Sequence, residues 1–283
     1  MSKPLVSAII PTFNRADAVK RAVHSVLNQS FRDFECIVVD DGSTDGTDSV
    51  LAEFGNKINV LKTENRGVAA ARNSGAEVAK GDFLAFLDSD DEWKKEKLSK
   101  QIPYMKESGF RISQTDETWI RNGKFVNKSN RYIRPCGDIF FKCLDVCAVT
   151  PSSVVIEKEL FSDYGGFDET FPVCEDFDLW LRMSPNEKFG LVDEPLIIKY
   201  GGAPDQLSNK TGLDKYRIIS IFNMLQKSNN LNEEQRNALE KALLQKVKIY
   251  SEGARKHGNS GEAAWAENLF REFTQSKAFS LQK

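Results

Sequence analysis

The chain has 283 residues, enough for one sizeable α/β domain with an appendage. Its 39 basic and 41 acidic side chains leave a formal net charge of -2, without the basic excess typical of nucleic-acid binders, so no nucleic-acid partner is expected. No apolar run nears the roughly 20 residues of a membrane-spanning helix, and the start of the chain lacks the apolar core of a signal peptide. The expectation is a cytoplasmic protein, with peripheral contact at the inner face of the membrane left open. Cys36, Cys136, Cys143, Cys147 and Cys174 are an odd, scattered set, which argues against a disulfide framework. With only His24 and His257 beside them, a zinc site is not expected, and the thiols read as buried or inert.

The first hundred residues alternate between two periodicities. Leu5 to Ile10 is an apolar run closed by Pro11 and reads as a buried strand. Ala18, Ala22, Val23, Val26 and Leu27 mark a helix over 16–27. Strands follow at Phe34 to Val39, Ile58 to Leu61 and Phe83 to Leu87, separated by helices near Thr47 to Phe54 and Val68 to Ala79. Strand and helix alternating at this spacing predict βαβ units and a mainly parallel sheet flanked by helices. Ligands of such sheets bind beyond the carboxyl ends of the strands. That edge would gather Pro11 to Arg15, Asp40 to Asp45 and Asp88 to Asp91.

The middle is less regular. A hairpin is predicted over 110–127, with Asn122-Gly123 as its type I′ turn. Helices are expected at 138–147, 158–164 and Cys174 to Met183, a short strand at Val154 to Ile156, and one or two strands over 189–200 interrupted by Pro195. From about Asp205 strands cease. Leu213 to Gln226, Glu233 to His257 and Glu262 to Phe273 read as three helices, with Asn232 and Ser260 as caps and a stripe of Leu231, Leu239, Leu243 and Val247. The expected division is an α/β domain over 1–204 and a C-terminal all-α appendage over 205–283.

Several polar clusters could carry chemistry, each with a plainer reading beside it. Asp88-Ser-Asp-Asp-Glu-Trp93 follows a strand, where carboxylates two apart can converge on a hard divalent cation; a solvated loop is the plainer reading. Asp41-Gly-Ser-Thr-Asp-Gly46 starts like an EF-hand loop, but Ala52 stands where the closing glutamate belongs, which excludes calcium there. It reads as a turn capping the next helix or as a nucleoside contact. Arg66 and Arg72 suit phosphate contacts, though each alone reads as a surface charge. Glu175, Asp176 and Asp178 open a helix and could merely complement its dipole.

Taken together, these segments resemble the inverting GT-A-fold glycosyltransferases of family 2. The residues that carry the resemblance are Val6-Ser-Ala-Ile-Ile-Pro-Thr-Phe-Asn-Arg15, Val38-Val-Asp-Asp-Gly-Ser-Thr-Asp45, Asn65-Arg-Gly-Val-Ala-Ala-Ala-Arg-Asn73, Gly81-Asp-Phe-Leu-Ala-Phe-Leu-Asp-Ser-Asp-Asp91, and Gly165-Gly-Phe-Asp through Glu175-Asp176. It covers roughly the first 200 residues. The resemblance implies a Rossmann-like GT-A fold in which Pro11 and Thr12 lie against the nucleoside and Asp41 recognises the base edge. It further implies that Arg66 and Arg72 border the donor site, and that Asp88 and Asp90 form a DxD pair, with Asp90 the direct ligand of Mn2+ or Mg2+. Asp176 takes the place of the catalytic base, with Glu175 as its rival. Relatives often carry a late histidine near the diphosphate; Tyr200-Gly-Gly-Ala-Pro-Asp-Gln-Leu-Ser208 has none, leaving Asp205 or Gln206 to serve.

The implied activity is transfer of a sugar from a nucleotide-diphosphate donor, a UDP-sugar by family habit, to an acceptor hydroxyl with inversion. Cell-surface glycan or polysaccharide synthesis is the expected setting, with a glycan, lipid-linked or protein acceptor. A pyrophosphorylase or a dinucleotide oxidoreductase would need a glycine-rich loop after the first strand, and Pro11-Thr-Phe-Asn-Arg15 contains no glycine. A non-catalytic nucleotide-sugar-binding or scaffold protein is the remaining alternative.

Overall fold

The computed structural model describes residues 3–202, 206, 212–228 and 230–280, with side chains described up to 275. Strands β1 (Val6–Thr12), β2 (Phe34–Asp40), β3 (Asn59–Lys62) and β4 (Phe83–Phe86) alternate with helices α1 (Ala16–Leu27), α2 (Thr47–Ala52) and α3 (Val68–Val78). These follow the expected order. β5 (Glu92–Trp93) and helix α4 (Lys97–Ser108) come next, and neither was anticipated. Leu98, Ile102 and Met105, at helical spacing, mark the buried face of α4. The hairpin is β6 (Ile112–Arg121) and β7 (Lys124–Val126), with both Asn122 and Gly123 at positive φ, as a type I′ turn requires. Then follow α5 (Phe140–Asp145), β8 (Val155–Glu157), α6 (Lys158–Asp163), α7 (Glu175–Met183) and β9 (Phe189–Gly201).

The strands form one nine-stranded sheet in the order β3-β2-β1-β4-β8-β6-β9-β5, with β7 paired to β6. The stretch from β3 to β4 is wholly parallel; beyond β4 the sheet is mixed, with antiparallel β4–β8, β8–β6, β6–β7 and β9–β5 and a parallel β6–β9 pair. β1 runs through Pro11 rather than stopping there. The Ile9 carbonyl accepts from Leu87 N–H on the β4 side and the Thr12 carbonyl from Asp41 N–H on the β2 side. The missing N–H of Pro11 therefore points past the end of β4, where no ladder bond is lost. β9 is likewise one strand, its irregularity at Pro195 opposite Asp116 absorbed by register shifts.

The central strands β1, β2 and β4 are buried on both faces, and alternate residues serve different cores. Ile9, Ile37, Val39, Leu84 and Phe86 face α3, α6 and α7, while Ala8, Ile10, Cys36, Val38 and Ala85 face α1 and α4. Gly75 lets α3 lie on β1, since a Cβ there would stand 2.5 Å from Ile9 Cγ2.

Helices α8 (Leu213–Lys227), α9 (Glu233–Lys256) and α10 (Ser260–Ser280) complete the described chain. Asn232 caps α9 in a capping box with Gln235. Ser260 lies at the start of α10, which runs from Ser260 to Ser280 rather than from Glu262 to Phe273. The expected stripe is real: Leu239, Leu243 and Val247 are buried and Leu231 packs against them. It lies in the same apolar core as Ile9, Phe86 and Trp180, joined by Ile218, Ile221, Met224 and Leu225 of α8. Ser220 Oγ donates to Asp178 Oδ1 at 2.8 Å, fastening α8 to α7.

Candidate active site

The five sequence segments meet at the carboxyl edge of β1, β2 and β4. The first two lock together where Asn14 N–H donates to Ser43 Oγ (2.8 Å) and Thr44 N–H to Asn14 Oδ1 (2.7 Å). Asn14 sits at φ 50°, a left-handed conformation that asparagine tolerates. Within the turn, Asp45 accepts from Thr47 N–H and Oγ1, but the N-cap of α2 is Gly46, so the segment closes a turn before α2 without a side-chain cap.

Asp41 does something else. Its carboxylate is 3% exposed and accepts from Thr63 Oγ1 and Arg66 N–H on Oδ1 (both 3.1 Å) and from Gly67 N–H on Oδ2 (2.8 Å). A carboxylate has about four lone-pair positions, so one remains on Oδ2. Beside it, Pro11 is buried in β1, and the buried Thr12 Oγ1 makes no hydrogen bond among the described residues. Arg66 is an exposed charge, reaching Ser74 Oγ at 3.3 Å and Glu169 at 3.6 Å.

Arg72 is not a surface charge, and here the plainer reading fails. Its side chain is 3% exposed because α3 turns it into the protein, where Nη2 meets Asp88 Oδ1 and Nη1 meets Glu175 Oε1, each at 2.6 Å. The guanidinium also lies 5.1 Å from the Phe167 ring centroid. Burial opposes its charge, yet Asp88 and Glu175 outweigh that and push its pKa up. For Asp88, burial is likewise outweighed by Arg72, Lys199 and Arg15, and its carboxyl sits below the usual range. Glu175 goes the other way, its carboxyl pushed up by burial against the pull of Arg72. Glu175 is thus a buried bridge member, not a solvated charge complementing the α7 dipole.

Asp176, the next residue, stands outside that bridge. Its Oδ2 accepts from the Cys147 thiol at 3.2 Å and its Oδ1 from Phe177 N–H at 2.7 Å. Burial and the Asp176 charge push the Cys147 thiol up, so the sulfur keeps its proton and acts as donor. Cys147 is one contact that sequence reading missed. All five cysteines are free thiols, though Cys136 is exposed and Cys147 and Cys174 are only half-buried.

Asp90 is 21% exposed and receives Arg15 Nη1 at 2.7 Å and Gln206 Nε2 at 3.1 Å on Oδ2. Gln206 thus reaches the DxD segment, as one of the two proposed substitutes for the late histidine; Asp205 lies outside the described residues. Among the described residues no three His, Cys, Asp or Glu side chains form a metal cage. A magnesium-like ion needs none, because one or two carboxylates with phosphate oxygens and water suffice. Asp88 and Asp90 at a strand end, with Asp90 Oδ1 unpartnered among the described residues, fit such an ion. Behind them Asp91 is buried against Ser152 Oγ (2.6 Å), and burial together with Asp90 and Asp88 pushes its carboxyl up to about 8.

Comparison with known proteins identifies the family. Residues 7–159, more than half of the chain, match the family described as glycosyl transferase family 2. The chain belongs to that family. It is 49% identical over 118 residues to the putative teichuronic acid biosynthesis glycosyltransferase TuaG of Bacillus subtilis, covering 40% of this chain and 46% of that protein. It is 32% identical over 197 residues to the UDP-Glc:alpha-D-GlcNAc-diphosphoundecaprenol beta-1,3-glucosyltransferase WfgD of Escherichia coli, covering 68% of this chain and 75% of that protein. The match to TuaG therefore spans less than half of that relative. Among solved structures, S. aureus TarS 1–349 in complex with UDP-GlcNAc superposes with a TM-score of 0.66 at 18% identity, covering 95% of this chain and 92% of that one. The mannosyltransferase PcManGT from Pyrobaculum calidifontis, in complex with GDP-Man and Mn2+, gives 0.57 at 18% identity, covering 98% and 85%. These two show the GT-A fold of the family 2 chain.

Proposed function

We propose that this chain transfers a sugar from a nucleoside-diphosphate donor, a UDP-sugar, to an acceptor hydroxyl with inversion, in polysaccharide biosynthesis. The observation that carries the reading is the Arg72 bridge. It fixes Asp88 and Glu175 and leaves the neighbouring Asp176 outside the ion pair, available as a base. Membership in family 2, the roles of TuaG and WfgD, and the UDP-GlcNAc held by TarS support the donor and the setting. No described helix is long and apolar enough to cross a membrane; we place the reaction on the cytoplasmic side, at or near the membrane face.

In this reading the nucleoside lies against Pro11 and Thr12, with the free lone pair of Asp41 Oδ2 accepting from the base edge. Arg66 lies at the rim of the donor site, while Arg72 acts through Asp88 and Glu175. Asp88 and Asp90 would hold Mn2+ or Mg2+, which supplies positive charge against the diphosphate as it leaves. The acceptor oxygen attacks the anomeric carbon as its proton passes to the Asp176 carboxylate. The bond from that carbon to the diphosphate oxygen breaks on the opposite face, so the centre inverts without a covalent glycosyl-enzyme. UDP should bind more tightly with manganese than with chelator, and Asp90→Ala should abolish most of the difference by calorimetry. Equal affinity with and without metal in the unaltered protein would refute the metal site.

We further propose that 1–204 is the catalytic unit and 205–283 a helical extension that helps place the acceptor. Because α8 and α9 share its core, removing residues 205–283 should expose apolar surface and lower the melting temperature or solubility. A truncated chain with unchanged melting and full transfer would contradict the proposal. A scaffold that binds donor without turnover is the alternative, and consumption of donor separates the two.

A further inference from the structure

The Asp176 carboxylate is held from two sides, and only one of them is local. Phe177 N–H, from the next residue, donates to Oδ1 at 2.7 Å. The Cys147 thiol, 29 residues back in the chain, donates to Oδ2 at 3.2 Å. The last torsion of an aspartate is soft, so a bond to one oxygen leaves the other free to swing. The second bond fixes the plane of the carboxylate. With about four lone-pair positions on a carboxylate, each oxygen keeps one for a proton arriving from outside.

The turn that carries Cys147 is built to stay in place. Val146, Ala148, Val149 and Thr150 are buried around the half-buried Cys147. Arg134 ties the turn down, with Nη1 donating to Ala148 O at 2.9 Å and Nη2 to Thr150 Oγ1 at 2.6 Å. Arg134 in turn pairs with the Glu117 carboxylate, and both side chains are almost wholly buried.

The thiol has one proton and two acceptors in reach. Besides Asp176 Oδ2, Val149 O lies 3.3 Å from Sγ. A charged acceptor outcompetes a neutral carbonyl, so the ionised Asp176 takes the bond. Once Asp176 has received the proton of the acceptor hydroxyl its charge is gone, and the thiol proton can turn to Val149 O. The bond is therefore strongest while the base waits and weakest after it has acted. A thiol is also a weak donor, so it orients the carboxylate while leaving the oxygens available.

We propose that Cys147 is a positioning residue for the base: its thiol aims the Asp176 carboxylate at the acceptor hydroxyl and lets go when the proton has moved. No covalent bond to sulfur changes; the proton passes from the acceptor oxygen to Asp176, and the thiol keeps its own. The inference rests on the transferase reading with Asp176 as base and adds the residue that orients it.

Steady-state kinetics and infrared spectroscopy test this together. UDP release is followed from UDP-glucose and UDP-N-acetylglucosamine, with methyl β-glucopyranoside and methyl N-acetyl-β-glucosaminide as acceptors. Cys147→Ala should lower kcat by about tenfold or more, because a displaced base costs turnover. KM for the donor and affinity for UDP should stay unchanged. Cys147→Ser keeps a donor on the turn and should recover most of the loss. The S–H stretch of Cys147, assigned by its disappearance in Cys147→Ser, should move to higher frequency in Asp176→Asn, since a neutral amide is a weaker acceptor than a carboxylate. That shift depends neither on turnover nor on whether Cys147→Ala folds. Unaltered kcat in Cys147→Ala, a Cys147→Ser variant as slow as Cys147→Ala, or an S–H band that Asp176→Asn leaves in place would each overturn the positioning role. Full-rate transfer in Asp176→Asn would instead remove the base reading, and this inference with it, whatever Cys147→Ala does.

Discussion

Asp176→Asn is expected to lower sugar transfer by about 10²–10⁴-fold, the usual loss when a general base is removed. The amide keeps the shape of the side chain, and its one oxygen can still accept from Cys147 or from Phe177 N–H, though not from both. Affinity for UDP should stay close to that of the unaltered protein, because the Asp176 carboxylate lies outside the Arg72–Asp88 bridge. Glu175→Gln should behave differently: its carboxylate is spent on Arg72, so the change should cost stability. Rate and melting temperature measured together on both variants distinguish the roles. Near-normal transfer in Asp176→Asn would move the base to another carboxylate, and a loss of UDP affinity would make Asp176 part of the donor site.

Arg72→Ala should destabilise the fold strongly. Removing one partner of a buried ion pair typically costs about 3–5 kcal/mol, because the remaining charge is left without compensation. Here two carboxylates lose the same cation, and Glu175 is almost wholly buried. For a chain of this size that corresponds to a melting-temperature fall on the order of 10 °C. Arg72→Lys should recover only part of it, since one ammonium cannot fork to both carboxylates as a guanidinium does. Adding Glu175→Leu to Arg72→Met should recover more, by removing the more deeply buried of the two orphaned charges along with its partner. A melting temperature in Arg72→Ala within about 2 °C of the original would show that the bridge contributes little.

The parallel half of the fold was legible because its central strands β1, β2 and β4 are buried on both faces and its helices carry a clear period of 3.6. The Asn122-Gly123 turn was legible because few dipeptides accept two positive φ values in succession. Proline misled the reading in two places. Pro11 was taken to end β1 and Pro195 to interrupt β9, yet each missing N–H falls where the ladder ends or bulges. Helix α4 went unread, although Leu98, Ile102 and Met105 carry its helical spacing. In the candidate site, the residue types at each strand end could be read, but not their pairing. A buried, doubly paired Arg72 looks the same in sequence as the exposed Arg66. Its partners lie 16 and 103 residues away, and only the fold reveals them. The Cys147–Asp176 contact and the Glu117–Arg134 pair had no motif to announce them.

The central claim is that this site moves a sugar with inversion, using Asp176 as base. Its most direct test is proton NMR of the purified protein with UDP-sugars, manganese and the methyl glycosides. The expected result is release of UDP together with a new glycosidic anomeric signal whose coupling reports the configuration opposite to that of the donor, both suppressed in Asp176→Asn. A donor that binds and is never consumed, or a product that keeps the donor's anomeric configuration, would contradict the account.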